Sequence, residues 1–358
     1  MKKILLLTNK ELDEPGGRQE KISTRECILK EYGWEIVVQQ VDPNIFSIPS
    51  AVYRSYKRAR RDDIDIINTI NNPPHLHIVG LFLNLIIDKP WLVEYRDPFT
   101  NNPDLDEEAF NTKLRGFLER IILYSADQVI WGDGMQLEQD YFERFNWIDM
   151  NKITKLPFLG FEKELFNDAP SREYEEFTIT YAGSFYKDLI EPYSLLEGVS
   201  KYVEKYQRDI QIKFYGDWEA RYEQKVEKEG LDDIVETHEF VPHEEILPVL
   251  KGSDICVHIG GTDPQNRLSI PSKIWDYMGS GTPILGIVDP EFRVANFLEN
   301  NKLGTAVHPD NPEEIAESIQ KMRTNQFNHI NYNIIAEKFT REKKIKRIVE
   351  ILNNMVSS

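Results

Sequence analysis

Cationic, acidic and glycine positions crowd into residues 258–283, which read HIGGTDPQNRLSIPSKIWDYMGSGTP. The pattern predicts a buried strand, a polar loop and a short helix whose N-cap is Ser272. Lys273 and Asp276 are three residues apart and so share one face near the positive end of that helix. A diphosphate can meet Lys273 or Arg267 there, while Asp276 accepts hydrogen bonds from a ribose diol. The structural alternative is a capped helix with an ordinary ion pair.

Glycines also follow two earlier strands predicted in the second half of the chain. Gly183 and Ser184 come after an apolar strand, with Lys187 close behind, and Gly216 ends the next strand. Free amides at such turns can bind a phosphate, with Lys187 as the compensating charge. His258, at the end of another strand, is a candidate ligand contact. An ordinary turn or a buried side chain is the alternative in each case.

Two loops in the first half are further candidates. Gly16 and Gly17 precede a helical segment, where an unhindered backbone can approach an anion, although a flexible turn explains them equally well. Arg96 and Asp97 follow the strand 91–95. They form either an ion pair that locks the loop or a functional pair. In the second interpretation Asp97 accepts a proton or binds a sugar hydroxyl, and Arg96 orients it or meets an anion.

A basic segment at 53–61, YRSYKRARR, stands out in an acidic chain. It predicts a helix that rests on an anionic membrane surface or meets a phospholipid-linked or polyprenyl-linked acceptor. A solvated helix face paired with acidic side chains is the alternative. The cations are Arg54, Lys57, Arg58, Arg60 and Arg61.

Composition sets the broad class of protein. The 358 residues are enough for two domains, and 41% hydrophobic with 29% charged residues is typical of a globular protein. The formal net charge of −17 argues against nucleic acid as a main partner. Cys27 and Cys256 predict a reducing compartment without a disulfide framework, and no residue spacing predicts a metal site. The opening MKKILLLTNK is interpreted as a buried strand and the apolar run 76–87 as a buried helix.

Apolar β-rich runs alternate with helical periods, a pattern typical of α/β proteins with parallel sheets. The sequence contains two successive series of alternating predicted strands and helices, separated by the polar stretch 167–176. A final helix is predicted over about 333–354. The predicted strands are 3–8, 35–41, 64–70, 91–95, 128–131 and 153–156, then 178–182, 211–215, 236–240, 255–259, 283–288 and 304–307.

Residues 271–283, PSKIWDYMGSGTP, resemble the signature of the group 1 (family 4) glycosyltransferases, P-x-K-x-x-E-Y-M/L-A-x-G-x-P. Six other segments look like the same family in the same order, so the resemblance covers nearly the whole chain. They are the Gly-Gly loop, the charged pair after 91–95, and the segments 126–130, 157–161, 181–184 and 240–242.

The resemblance implies the GT-B fold, two facing Rossmann-like domains with parallel sheets and a C-terminal helix that crosses back to the first domain. It assigns residues 1–166 and the helix 336–358 to an acceptor domain, and residues 167–335 to a nucleotide-sugar donor domain. It implies a retaining, metal-independent transfer from a UDP- or GDP-sugar, which is a substrate rather than a cofactor. The expected acceptor is a glycan or a lipid-linked acceptor in polysaccharide or glycoconjugate synthesis, and the expected location is the cytoplasm or the inner membrane face.

The resemblance also assigns roles to residues. Asp276 corresponds to the family's ribose-binding glutamate, Lys187 is similar to its phosphate-binding lysine, and Arg96-Asp97 stand where many members carry His followed by an acid. The family's other glutamate is replaced by Leu268. Together with the candidates argued from the residues themselves, the predicted catalytic residues are Asp97, Arg96, Lys187 and Lys273. The predicted donor-binding residues are Gly16, Gly17, Gly183, Ser184, Gly216, Phe240, Val241, His258, Arg267, Ser272 and Asp276.

Two other functions remain open at this point. A nucleotide-sugar epimerase shares the two-domain fold. An inactive GT-B binding or scaffold subunit fits the leucine at position 268 and the aspartate at position 276.

Overall fold

Short, buried, apolar segments of the chain form two parallel sheets of six strands each. The computed structural model describes residues 1–9, 22–42, 44–70, 75–95, 110–133, 147–157, 159–187, 189–324 and 331–357. The chain divides into two compact units, one made of Met1–Gly160 and Arg341–Ser358, the other of Phe161–Thr340. Within the described ranges, none of the helices has the length and apolar character that crossing a membrane requires.

The sheet of the first unit has the strand order β2-β1-β3-β4-β5-β6. Its strands are β1 (Lys2–Thr8), β2 (Trp34–Gln40), β3 (Ile66–Ile70), β4 (Trp91–Tyr95), β5 (Gln128–Asp133) and β6 (Ile153–Pro157). The helices between them are α1 (Ile22–Glu31), α2 (Ile48–Asp62), α3 (His75–Ile86) and α4 (Phe110–Ser125). Because β1 and β3 are neighbours, the topological switch point of this sheet lies between them.

The sheet of the second unit has the order β12-β11-β10-β7-β8-β9. Its strands are β7 (Phe177–Ala182), β8 (Ile210–Tyr215), β9 (Val235–His238), β10 (Ile255–Gly261), β11 (Ile284–Val288) and β12 (Gly304–Val307). Its helices are α5 (Lys163–Asp168), α6 (Tyr193–Lys205), α7 (Ala220–Glu229), α8 (His243–Gly252), α9 (Lys273–Ser280), α10 (Arg293–Asn300), α11 (Pro312–Arg323) and α12 (Tyr332–Phe339).

Both faces of each sheet are covered, which explains the continuous apolar runs in the sequence. In β1, Leu5 and Leu7 belong to one hydrophobic cluster while Ile4 and Leu6 belong to another on the opposite face. This alternation follows the two-residue period of a strand. The opening segment is therefore a buried central strand.

The last helix, α13 (Arg341–Ser357), completes the first unit. Its buried residues Ile345, Ile348 and Leu352 share a cluster with Ile4 and Leu6 of β1. The GT-B prediction of a C-terminal helix that returns to the first domain is confirmed.

The prediction of one continuous final helix is wrong. Helix α12 ends at Phe339, and Thr340 is extended, with φ −74° and ψ 149°, before α13 begins. Phe161 explains the interruption, because its backbone N–H donates to the Phe339 carbonyl at 3.2 Å and Phe161 pairs with Thr340 in a parallel bridge. The sequence between 333 and 354 contains no proline or glycine from which this break could be predicted.

Candidate functional site

The loops that follow β7 and β8 meet at two glycines, Gly183 and Gly216. Both have positive φ, 144° and 151°, which favours glycine. A Cβ built at Gly216 would lie 2.2 Å from the Gly183 carbonyl oxygen, so no larger residue fits there. Hydrogen bonds to the carbonyls of Tyr215 and His238 hold the two glycine N–H groups. The two predicted glycine positions are therefore brought together at the carboxyl edge of the sheet.

Lys273, the first residue of α9, lies against this glycine pair. Its side chain is buried, with 9% of the residue exposed, and Nζ donates a hydrogen bond to the Tyr181 hydroxyl at 2.8 Å. The ammonium also lies 4.0 Å from the centroid of the Tyr181 ring. A Cβ built at Gly183 would stand 2.8 Å from Nζ. The charge is thus placed directly beside the loop that follows β7.

The position of Lys273 is a consequence of topology. Strands β7 and β10 are neighbours, and the chain leaves them toward opposite edges of the sheet. Open α/β sheets bind their ligands in the crevice at such a point, outside the carboxyl ends of the strands. Gly183 follows β7, Gly260 and Gly261 end β10, and Lys273 opens the next helix. Several predicted residues therefore converge at the switch point of the second unit.

Asp276 lies one turn further along α9 and is also buried. Its Oδ1 is 3.0 Å from Nε2 of His243, the first residue of α8, whose side chain is 43% exposed. This contact joins the carboxylate of one helix to the N-terminal end of another. A ribose-binding role for Asp276 stays a prediction.

His258 is the most enclosed of the predicted site residues, with 1% of its surface exposed. Burial lowers the pKa of its imidazole to about 3, and the positive charge of Lys273 acts in the same direction. The ring is therefore neutral at physiological pH. Neither ring nitrogen has a hydrogen-bond partner among the residues that the structure describes.

The remaining predicted residues of the second unit lie nearer to solvent. Lys187, Arg267 and Phe240 are exposed, and Phe240 comes 3.5 Å from a Cβ built at Gly216. Ser184, Val241 and Ser272 are half-buried. The N-cap prediction for Ser272 is wrong in one respect. Ser272 stands at the cap position, but its backbone is helical and its side chain makes no capping hydrogen bond.

The first-unit candidates Gly16, Gly17, Arg96 and Asp97 lie outside the described residues. Within the described ranges, no three His, Cys, Asp or Glu side chains come together as a possible metal site.

Sequence reasoning missed two partners of the predicted residues. Tyr181 binds Lys273 across 92 positions of sequence, and His243 binds Asp276 across 33 positions. A tyrosine inside an apolar strand and a histidine at a helix start carry no local signal of these contacts.

Residues 176–325 match the family model described as glycosyl transferases group 1. The second unit is a group 1 glycosyltransferase domain. The matched range contains β7 to β12 and all of the site residues described above for this unit. No curated protein matches the sequence.

Solved structures extend the likeness to the whole chain. A glycosyltransferase from Rickettsia africae superposes with a TM-score of 0.72 at 13% identity, over 100% of this chain and 99% of that one. Sucrose-phosphate synthase from Thermosynechococcus elongatus gives 0.68 at 17% identity, over 100% of both chains. HepE from Anabaena, in complex with UDP, gives 0.62 at 14% identity, over 99% of this chain and 100% of that one. At these identities the likeness shows the GT-B fold.

Proposed function

We propose that this glycosyltransferase moves a sugar from a nucleoside-diphospho-sugar, bound at the switch point of the second unit, onto a glycan or lipid-linked acceptor. The observation that carries the proposal is the buried ammonium of Lys273, held between Tyr181 and the Gly183 loop. A fixed positive charge in a poorly solvated site stabilises the charge that develops on a departing diphosphate. The UDP complex of HepE supports a nucleotide donor of this class.

The rest of the donor site follows from the same edge of the sheet. Gly183, Ser184 and Gly216 supply close-approaching backbone, and Lys187 and Arg267 supply cations that can reach a bound diphosphate from solvent. Phe240 and Val241 follow β9, and the Phe240 ring lies beside Gly216, where the nucleoside would extend. In this proposal the cationic side chains perform the charge neutralisation that other transferases obtain from Mg²⁺, and the sugar is transferred with retention.

A ligand screen tests the donor proposal. We expect one class of UDP-, GDP- or ADP-sugar to raise the melting temperature, since a ligand at 100 times its Kd adds about 2.7 kcal/mol to the free energy of unfolding. Product analysis then identifies the reaction. A sugar transferred to an acceptor supports the proposal, and an epimerised sugar nucleotide formed without acceptor indicates an epimerase. A melting temperature that no nucleotide raises indicates a scaffold.

We propose further that the acceptor side of the enzyme rests on an anionic membrane surface at the cytoplasmic face, through helix α2. Arg54, Lys57 and Arg60 are exposed on this helix. Arg58 and Arg61 instead pair with Asp62, at 2.5 and 2.9 Å. The alternative of a salt-bridged helix face thus applies to part of the cluster. Clustered lysine and arginine near an anionic bilayer contribute about 1 kcal/mol each.

Apolar side chains lie next to this basic helix. Helix α3 packs against α2, and Phe82, Leu85 and Ile86 near its C-terminal end are 47%, 69% and 55% exposed. The interpretation of the run 76–87 as a buried helix therefore holds for the sheet-facing side alone. Cationic and apolar side chains on adjacent helices are what binding to a lipid headgroup region requires.

Liposome sedimentation tests the membrane proposal. The variant with Arg54, Lys57 and Arg60 changed to Glu should lose sedimentation with vesicles containing anionic lipid. Its control changes the exposed lysines Lys228, Lys321 and Lys338 to Glu, which alters the net charge equally. Equal loss in the two variants would reduce the effect to overall charge, and unchanged sedimentation of the α2 variant would remove the proposal.

A further inference from the structure

His258 lies at the carboxyl end of β10, on the face of the strand opposite to Val257 and Ile259, which are in the hydrophobic core. The sheet register pairs it with Gly286 of β11. Its strand continues into the switch point beside Lys273, whose charge acts on the imidazole. The ring is thus part of the floor of the proposed donor site.

Gly260 controls what can approach the ring. Gly260 follows His258 by two residues, within the register irregularity of β10 between Ile259 and Gly261. A Cβ built at Gly260 would lie 2.8 Å from Nε2 of His258. Any side chain at this position would therefore press on the ring nitrogen, whereas glycine places only backbone beside Nε2.

The buried imidazole of His258 has no hydrogen-bond partner among the described residues, which is unfavourable for the stability of the fold. Leaving a buried polar group without a hydrogen bond is unfavourable, and most buried polar groups in proteins are paired. A leucine would fill a similar volume without this cost. A histidine that has no hydrogen-bond partner among the described residues, beside a lysine at the edge of the proposed donor site, is accounted for by a ligand that supplies an acceptor.

We propose that Nε2–H of His258 donates a hydrogen bond to the terminal phosphate of the bound nucleoside diphosphate, next to Lys273. The inference rests on the proposed function and adds a binding residue to it. A phosphate offers acceptors alone, and a neutral imidazole carries one N–H, so the bound state requires the tautomer protonated at Nε2. In this proposal Lys273 attracts the phosphate by its charge, and His258 orients the same phosphate by a directional hydrogen bond.

The test compares nucleotides with and without the terminal phosphate by isothermal titration calorimetry on the full chain. UDP, UMP, GDP and GMP are titrated into the wild type, His258→Leu and His258→Gln. We expect His258→Leu to bind its diphosphate at least tenfold more weakly, with the matching monophosphate changed by less than twofold. His258→Gln, which keeps an N–H donor, should recover part of the loss.

The outcomes separate the two proposals. A wild type that binds none of the four nucleotides contradicts the proposed function itself. A wild type that binds, with His258→Leu unaffected or weakened equally for both phosphate lengths, overturns the role of His258 alone, as does a glutamine variant as weak as the leucine variant.

Nuclear magnetic resonance on wild-type protein with ¹⁵N-labelled histidine covers the case of a leucine variant that does not fold. The His258 nitrogen signals, assigned by comparison with His258→Gln, should shift with the diphosphate and stay in place with the monophosphate. Unchanged signals would overturn the inference.

Discussion

At the residue scale, the site depends on a lysine that has been removed from water. Burying an ammonium is unfavourable unless other groups replace its hydration. Tyr181 does so for Lys273 through its hydroxyl at 2.8 Å and through its ring face. The same burial strengthens the attraction between the ammonium and an incoming phosphate, because the local dielectric is lower than that of water. In the proposed reaction, the burial that makes this charge costly to place also strengthens its effect on the departing diphosphate.

Changing Lys273 to Met should lower turnover about 10²–10³-fold, the usual loss when one group that stabilises transition-state charge is removed. Methionine keeps an unbranched apolar chain of similar length at this buried position, so the fold should survive. The control is Lys228→Met, an exposed lysine on α7. Steady-state kinetics with the donor identified by the ligand screen give the measurement. Turnover of Lys273→Met within threefold of the control would exclude this role for the ammonium.

Asp276 offers a second test on a single residue. If its carboxylate binds the ribose diol, the wild type should prefer UDP or GDP over the 2′-deoxy form by roughly ten- to a hundredfold, since a hydrogen bond to a charged group contributes about 1.5–3 kcal/mol. Asp276→Ala should abolish this preference. His243→Ala removes the partner at 3.0 Å but keeps the carboxylate, so it should retain the preference. An alanine variant at 276 that still discriminates would refute ribose binding by this residue.

At this scale the sequence predicts which positions belong to the candidate site. It does not predict the burial and the contacts of their side chains. Lys273 and Asp276 stand out because three-residue spacing on a helix puts them on one face. The neutral state of His258 depends on burial by several elements, which local sequence does not encode. His243 and Tyr181 were missed for the same reason, because contacts across 33 and 92 positions form only in the fold.

At the element scale, the candidate site is shaped by glycines that directly follow two strands. The loops after β7 and β8 approach so closely that the Gly183 carbonyl occupies the space where a side chain of residue 216 would begin. The glycines are therefore required by contact between two loops as well as by their own backbone angles. This contact fixes the paths of the two loops that border the proposed donor site.

Gly216→Ala should lower the free energy of unfolding by roughly 2–5 kcal/mol, the sum of left-handed strain and overpacking against Gly183. Gly230→Ala is the matched control. Gly230 also has positive φ, 66°, but nothing lies within 4 Å of a Cβ built there, so its cost should be about 1–2 kcal/mol. Urea denaturation measures both, and calorimetry should show weaker nucleotide binding for Gly216→Ala alone. An equal loss of unfolding free energy in the two variants would mean that the two loops move apart to accommodate the methyl group without strain.

Most elements were predictable because parallel strands covered on both faces appear as short apolar runs between helical periods. The strand β4 illustrates this, since its five residues are all buried and its predicted and observed bounds agree. The break at Thr340 was not predictable, because it is caused by backbone contacts with Phe161, 179 positions away. Helix propensity alone would carry the chain straight through.

At the scale of the whole molecule, the first unit is assembled from two separated parts of the chain. Its sheet is built by residues before Gly160, but one face is covered by α13, which comes after the entire second unit. Trp34 of β2 donates a side-chain hydrogen bond to Asn353 of α13 at 3.2 Å. The first core is therefore completed only after the second unit has been synthesised, whereas the second unit contains its own core between Phe161 and Thr340.

This arrangement predicts that a destabilising substitution in α13 increases local unfolding in the first unit and not in the second. Ile348 is fully buried, so Ile348→Ala should cost about 2–5 kcal/mol, while Lys343→Ala, exposed on the same helix, should stay within about 0.5 kcal/mol. Hydrogen exchange measured by mass spectrometry should show faster exchange in β1 and β2 of Ile348→Ala and unchanged protection in β7 and β10. The two units have separate hydrophobic clusters, so local opening of one leaves the other intact. Faster exchange of equal size in both sheets would mean that the units unfold as one cooperative body.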